Sequence, residues 1–579
     1  MAGAPPRPIG YNNEPPAFTY EEERDAAFLD ELIRLCDDKR TEVLGPNYFE
    51  WAKEFFLFRP SFWQPQLEYQ IKLKMSDLQT LVMQEASDLT DSEPVFFVSR
   101  GGQREKARED AFKANWRSSY YQMELFKATM WAMNAHTGFL EVIADGARSP
   151  RNAVRIRARN SQTVYPDPYA TDWREWEYVI VRVPMAPDEI MRNFPHAANR
   201  LPGLLMEHQR NMYLAQRSGG LIGSGPESIE LPPGAMQSVP IGRPPGSTDF
   251  LAVDYVFIKD DARENVVRDL IGTHAAGGVL PPPRTIMKYP TGRLIVRTGK
   301  LKLWDGPNQY RKFPIVPVFS MPPLYGVWGT PPIQYLIQMQ HLAESMYSQR
   351  AENMIRMNYG YRVYQDGAIL NPENFDKLGG LIRVKTSDDV SKAFRFVPPP
   401  AFSPDQGQFA NELMGHMREL FGYTPERSGK AGQGNISPGL FDAAVSNAQS
   451  ITRMRARLLS ESVEEVGRLA FETMVDYQTD TVFSEALNGD LRTAPWTGVP
   501  LEQLNAFDVQ LDASSLRPMA SSTLRQLVPV LANLGMITPE YALKWLNVPH
   551  AEDIANELKQ QQMLAAMANA DKKGGKGKK

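Results

Sequence analysis

Three hydroxyl-proline pairs, Thr330-Pro331, Ser403-Pro404 and Ser437-Pro438, limit what the stretch from Thr330 to Phe483 can fold into. Each sets a hydroxyl at a helix N-cap and proline at the first helical position, where its missing N–H costs nothing. The pattern predicts helices over Pro331 to Met357, Pro404 to Phe421, and Pro438 to about Thr481. Between the first two, YRVYQ, GGLIRV and FRFVPPP change the period to that of strands. Between the second and third lies FGYTPERSGKAGQGNISPG, a loop too polar and glycine-rich to be core. A helical hairpin with a small strand-containing insert at one end and a mobile loop at the other is a poor design for an enzyme. It suits one stave of a ring around a channel.

The first of these helices carries Ile333, Leu336, Met339, Ala343, Met346, Met354 and Met357 near helical spacing, interrupted by Arg350. Its other faces hold Gln338, Gln340, His341, Gln349 and Asn353, polar without strong charge. Taken alone, that is an ordinary amphipathic core helix. The third helix shifts its stripe from Ala444, Ala448 and Ile451 to Leu459, Val463, Val466, Ala470 and Met474. A shift of face predicts a bend or a change of packing partner.

Upstream, residues 1–18 read as a flexible proline-rich arm, followed by helical signals from Glu21 to about Lys39. Trp51, Phe55, Phe56, Phe58, Phe62 and Trp63 make a dense aromatic patch that reads as core or subunit-interface anchors. Glu105 to Ala144 reads as a long helix or helical pair, with Gly138 as a C-cap before a strand. Val179, Val181 and Val183 alternate with Ile180 and Arg182 after a turn at Pro166, Asp167 and Pro168. A Gly-, Pro- and Ser-rich stretch over 217–250 reads as a long loop. Antiparallel strands resume around tight turns at Pro290-Thr291-Gly292 and Thr298-Gly299. Past Phe483 come one strand (FDVQLDA), helical segments at 521–534, 539–546 and 551–569, and the basic tail DKKGGKGKK. The class is α+β, without the regular βαβ alternation of a dinucleotide-binding unit.

Composition excludes several functions. A hydrophobic content of 42% is enough to bury a sizeable core, so the chain is not disordered overall. A formal charge of −4 excludes a basic nucleic-acid wrapper. It also suits a surface past which DNA must slide, because every phosphate contact is a brake. Cys36, the only cysteine, cannot form an intrachain disulfide or a cysteine zinc site, which indicates a reducing compartment. Acids flank it and raise its thiol pKa, making it a poor nucleophile. No signal-peptide pattern opens the chain, and no window approaches the roughly 18–20 apolar residues of a membrane span.

Chemistry is equally sparse. The step Gly429-Lys430-Ala431 lacks the hydroxyl that follows lysine in a phosphate-binding loop, and Gly422 lies too far upstream. The histidines form no H-E-x-x-H, and no G-x-S-x-G elbow is present. No catalytic, cofactor-binding or metal-ligating residue is assigned, and the chain is read as no enzyme.

In order, four stretches resemble the portal (head-to-tail connector) proteins of tailed double-stranded DNA bacteriophages. They are LVMQEASDLTDSEPVFFV, VYPDPYATDWREWEYVIVRVPMAPDEIMRNFP, YGVWGTPPIQYLIQMQHLAESMYSQRAENM and FRFVPPP with FGYTPERSGKAGQGNISPG. The likeness covers most of residues 45–480 and lies in the order of loose motifs.

The resemblance implies a dodecameric ring at one capsid vertex, a channel for genome packaging and ejection. It implies an N-terminal wing over 19–330, a first stem helix over 331–358, a clip over 359–403 and a second stem helix over 404–421. A tunnel loop over 422–437 follows, then a long helix and the rest of the wing over 438–520. A helical crown over 521–570 and a disordered tail over 571–579 complete it. Implied partners are double-stranded DNA in the channel, the terminase large subunit, a neck or adaptor protein and the major capsid protein, with no membrane and no cofactor. The implied location is the virion, with assembly in the host cytoplasm. Within the loop, Arg427 and Lys430 are the only cations and the candidate DNA contacts. The alternatives are a nucleic-acid-processing enzyme or packaging ATPase, for which no phosphate loop is found, and a generic virion adaptor or scaffold.

Overall fold

The computed structural model describes residues 20–45, 77–144, 154–201, 250–266, 284–323, 326–358, 361–364, 394–397, 404–423, 450–476, 481–484, 491–494 and 507–512. It also describes short pieces at 48, 71, 73–75, 369–371, 383–385, 528 and 542. The chain opens with α1 (Tyr20–Leu44), α2 (Asp77–Thr90), β1 (Phe96–Arg100) and β2 (Gln103–Arg104). Next come α3 (Lys106–Ser118), α4 (Tyr121–Asn134), β3 (Thr137–Ala144), β4 (Val154–Arg159), β5 (Val164–Pro166), β6 (Tyr178–Met185) and α5 (Pro187–Asn193). The strands β7 (Leu251–Ile258), β8 (Arg263–Val266), β9 (Arg284–Met287), β10 (Arg293–Thr298), β11 (Leu301–Pro307) and β12 (Ile315–Phe319) follow. Then come α6 (Ile337–Asn358), β13 (Tyr361–Tyr364), β14 (Phe394–Val397), α7 (Pro404–Phe421) and α8 (Ser450–Asp476). The short strands β15 (Thr481–Ser484), β16 (Leu491–Ala494) and β17 (Phe507–Leu511) follow.

Every strand pair among the described residues is antiparallel, as an α+β chain without βαβ units requires. The largest sheet runs β11-β10-β7-β6-β5. Its turns fall at Gly292 (φ 90°) and Gly299 (φ 52°), left-handed positions that glycine occupies without strain. The alternation along β6 does not translate into one wet face. Val179, Ile180, Val181 and Arg182 are all buried, because α1 covers one side of a strand already inside the sheet.

Arg182 is buried because it is paired. Its guanidinium grips Asp254 of the neighbouring β7 at 2.8 and 3.2 Å. Arg297 of β10 reaches the same carboxylate at 3.2 Å and also binds Asp30 of α1 and the Ala26 carbonyl. This chain of charges ties α1 to three strands. Cys36 sits within the same packing, fully buried. Its thiol is pushed up to about 12, chiefly by burial, with Arg40 opposing. The flanking acids are therefore not the main cause, since the i+3 to i+4 rise of α1 turns Cys36 inward with Leu29 and Ile33.

A second sheet, β12-β3-β4, is sandwiched between α4 and α8. The predicted helical pair is α3 and α4, broken at Ser119 and Tyr120, the latter in the left-handed region (φ 56°). Gly138 is no cap. α4 ends at Asn134, His136 makes the left-handed turn (φ 60°), and Gly138 is the second residue of β3. A Cβ on Gly138 would stand 2.0 Å from the Ala128 carbonyl oxygen of α4. Glycine is needed there for close approach of backbone to backbone, a signal that a single sequence does not distinguish from capping. α8 buries Ala456, Leu459, Val463, Val466, Ala470 and Met474, and Gly467 leaves room for the ring of Phe96 on β1. Ile451 at its start is exposed, and 438–449 lie outside the described residues. The aromatic patch at 51–63 lies outside them too.

Candidate functional site

α6 and α7 pack as an antiparallel hairpin. The Tyr347 hydroxyl donates to Asn411 Oδ1 at 2.7 Å, and one turn further out Gly407 lies against the guanidinium of Arg350. Beyond the hairpin, β13 and β14 pair antiparallel. Tyr361 opposes Val397 and Tyr364 opposes Phe394, with an isolated bridge between Ile369 and Val384 further along. α7 spans the residues its proline signal predicts. Its buried residues are Ala410, Met414, Met417 and Phe421, one narrow stripe, and the remaining faces are exposed and mostly polar.

α6 departs from its predicted start and stripe. It begins at Ile337, and Pro331 to Leu336 form turns ahead of it instead of its capped first turns. Ile333 and Leu336 in those turns and Ala343 in the helix are buried, but Met354 is 59% exposed and Ile355 is 48% exposed. The helix therefore enters the core at its N-terminal end and leaves it at the other. Gln340, placed on the polar face, is buried. The cause is a ladder that sequence reading missed. The Ile71, Leu73 and Met75 amides donate to Glu352 Oε1 (2.9 Å), Ser348 Oγ (3.0 Å) and Glu344 Oε1 (3.1 Å). The Gln340 amide then donates to the Met75 carbonyl at 3.0 Å.

Alternate residues of an extended chain repeat at about 6.6–6.8 Å, and four helical residues rise about 6 Å. The two repeats are close enough for i, i+4 side chains to serve i, i+2 amides over three steps. The spacing Gln340, Glu344, Ser348, Glu352 is legible in the sequence, but a solvated face looks the same.

Burial pushes the Glu344 carboxyl above its ordinary value, with Gln340, the Met75 amide and Lys74 pulling it down and Asp77 raising it. The folded value thus lies above the unfolded one. The stability this group contributes is complete below the unfolded pKa of about 4.3 and is lost as pH rises through the folded value. Glu344→Gln keeps an oxygen for Met75 and removes the charge. It should gain stability relative to wild type as pH is raised from 4 to 7 in denaturant titrations. A difference that stays flat or shrinks over that range would contradict the assignment.

The inner end of the hairpin is stopped and anchored. Gly422 (φ 98°) donates to the Glu419 carbonyl at 2.9 Å and Tyr423 donates to the Arg418 carbonyl at 2.8 Å, the paired bonds of a Schellman stop. Gly422 is therefore an ordered helix terminator, not a mobile residue of the predicted loop. Arg455 of α8 reaches the Phe421 carbonyl at 3.4 Å and lies over the Phe421 ring. The same guanidinium pairs with Glu85 of α2 at 2.9 Å, both side chains being at most 4% exposed. Thr452 donates to the other Glu85 oxygen at 3.2 Å. Arg418 on the hairpin surface meets Asp77 at the start of α2 at 3.1 Å.

Arg427 and Lys430 lie outside the described residues, as do nearly all of 521–579. Among the described residues no cluster of three or more His, Cys, Asp or Glu is placed to hold a metal. No described helix is long and apolar enough to cross a membrane.

A protein-family model described as Phage P22-like portal protein matches residues 99–574 of this chain. Among solved structures, a chain from the neck of an empty GTA particle computed with C6 symmetry aligns with 87% of this chain and 95% of that one. The identity is 10% and the TM-score 0.34. No curated protein matches the chain.

Proposed function

The chain belongs to the P22-like phage portal protein family, and from that premise we propose that it is one subunit of a closed, twelve-membered ring at a capsid vertex. In this reading the ring's channel passes double-stranded DNA into and out of the head. α6 and α7 are the stem, the segment 359–403 is the clip, and 422–437 is the tunnel loop. The body before 330, with 438–520, is the wing, and 521–570 the crown. The clip docks the terminase large subunit during packaging and a neck protein afterwards. The major capsid protein surrounds the wing. Assembly takes place in the host cytoplasm, and the role is structural and not enzymatic.

One observation carries the reading. The hairpin leaves the core with Met354, Ile355 and Phe409 uncovered, each about half exposed or more. Exposed apolar groups on both helices of the hairpin call for a partner surface, and identical copies arranged cyclically supply one. The remainder of α7 is polar and carries Asp405, Glu412 and Glu419 against Arg418 alone, an acidic balance that suits a wall DNA slides along.

The double variant Arg427→Ala with Lys430→Ala tests the tunnel loop. Ring assembly should be unchanged, and packaging or DNA retention should be altered at low salt, with the difference fading as salt rises. Wild-type packaging and retention at low salt would remove these two residues as DNA contacts.

A further inference from the structure

His136 is fully buried at the left-handed turn (φ 60°) between α4 and β3. Its ring packs on Trp328, with the centroids 4.7 Å apart, and Trp328 is itself buried. Through Trp328 and Gly329 the chain leads from the body into the hairpin. Gly329 donates its N–H to the Thr137 hydroxyl at 3.1 Å. A Cβ on Gly329 would stand 2.8 Å from the His136 carbonyl oxygen, so the two backbones touch. One turn thus starts β3 and seats the lead into α6. The Trp328 indole N–H finds no acceptor among the described residues, so the closed joint already carries a cost.

The charges around this seat do not welcome a proton. From α1 comes Arg40, whose guanidinium lies over the Trp328 ring at 5.8 Å and over the Tyr165 ring of β5 at 5.6 Å. The Ser161 carbonyl, at 2.7 Å, and Asp37 hold it there. Asp167, just after β5, acts on Cys36 of α1, and the Tyr48 hydroxyl closes on the Asn134 carbonyl at the end of α4. The lead itself, Gly326 to Thr330, brings no charge. Burial first, and then Arg40, hold the His136 imidazole well below its ordinary value.

We propose that His136 is an acid-sensitive latch on the joint between the body and the hairpin: a proton taken up by its ring unseats it from Trp328 and frees the segment 326–336. Neutral, the imidazole fills the seat as an aromatic ring. Charged, it would stand beside a guanidinium without water. The open joint exposes an imidazole that protonates at its ordinary value of about 6.5, whereas the closed one resists the proton. The seat therefore contributes in full above that pH. Below it, each pH unit favours the open joint by about ten-fold, until the closed ring is itself protonated.

Hydrogen exchange of the intact chain, read by mass spectrometry between about pH 7.5 and about pH 5 and corrected for the chemical exchange rate, tests the latch. Opening in peptides covering 135–139 and 326–336 should rise by about ten-fold per pH unit below about 6.5, while β6 and β7 keep their protection. In His136→Phe, which keeps a ring and takes no proton, opening of the joint should not vary with pH. If the left-handed backbone rejects phenylalanine and this variant fails to fold, His136→Asn, a residue at home in that region, supplies the same comparison. A wild-type joint whose opening is flat with pH would overturn the latch. So would a pH response that survives in the folded variant, or an acid response spread evenly over β6 and β7.

Discussion

Arg455→Ala is expected to destabilise the chain by about 3–5 kcal/mol, the usual consequence of stranding one member of a buried ion pair. Glu85 would keep the Thr452 hydroxyl at 3.2 Å but lose the guanidinium that pairs with its buried carboxylate at 2.9 Å. The Phe421 carbonyl would lose a donor at the point where α7 stops. Three helices, α2, α7 and α8, meet at this one guanidinium, so the variant should also loosen the seat of the hairpin. Replacing both partners with apolar residues, Glu85→Leu with Arg455→Met, should recover most of the loss, because a missing pair is far cheaper than a broken one. Denaturant unfolding of the three proteins measures this. A loss under about 1 kcal/mol for Arg455→Ala would mean that water reaches the pair and that it does not anchor the hairpin.

Gly138→Ala should be at least as damaging. The added Cβ would lie 2.0 Å from the Ala128 oxygen and 2.8 Å from its carbonyl carbon. Both are backbone atoms, so no rotamer change relieves the contact, and α4 must lift from β3. Overpacking typically costs about 1–3 kcal/mol, and a clash with a helix backbone belongs at or above the top of that range. The expected outcome is lost soluble yield or a large drop in unfolding midpoint. Gly415→Ala provides the contrast. Its Cβ meets nothing within 4 Å on the exposed side of α7, so removing a helical glycine should gain about 0.5–1 kcal/mol in the unassembled chain. Equal effects at the two positions would show that the close approach of α4 and β3 is not real.

Local signals in the sequence translated well where the physics was local. The proline at position 404 opens α7 at that residue, and Gly292 and Gly299 make the turns their neighbours suggested. Signals failed where the deciding partner was distant. Gly138 looked like a cap, because nothing in its own neighbourhood announces that a carbonyl of α4 presses on it. Cys36 looked polar from its flanking residues, yet its environment is set by β5 and β6. The Gln340 ladder is spelled out at i, i+4, but its partner is more than 260 residues away in sequence. Glu85 and Arg455, separated by 370 residues, gave no sign of each other at all. The loop read over 422–437 takes in Gly422, although two backbone bonds make that residue the stop of α7.

The central claim is that the hairpin's uncovered apolar side chains are matched by neighbouring copies around a channel. Native mass spectrometry of the purified full-length chain tests it most directly. A closed oligomer at twelve times the subunit mass, persisting on dilution, is the predicted result. A monodisperse monomer at micromolar concentration would contradict the account.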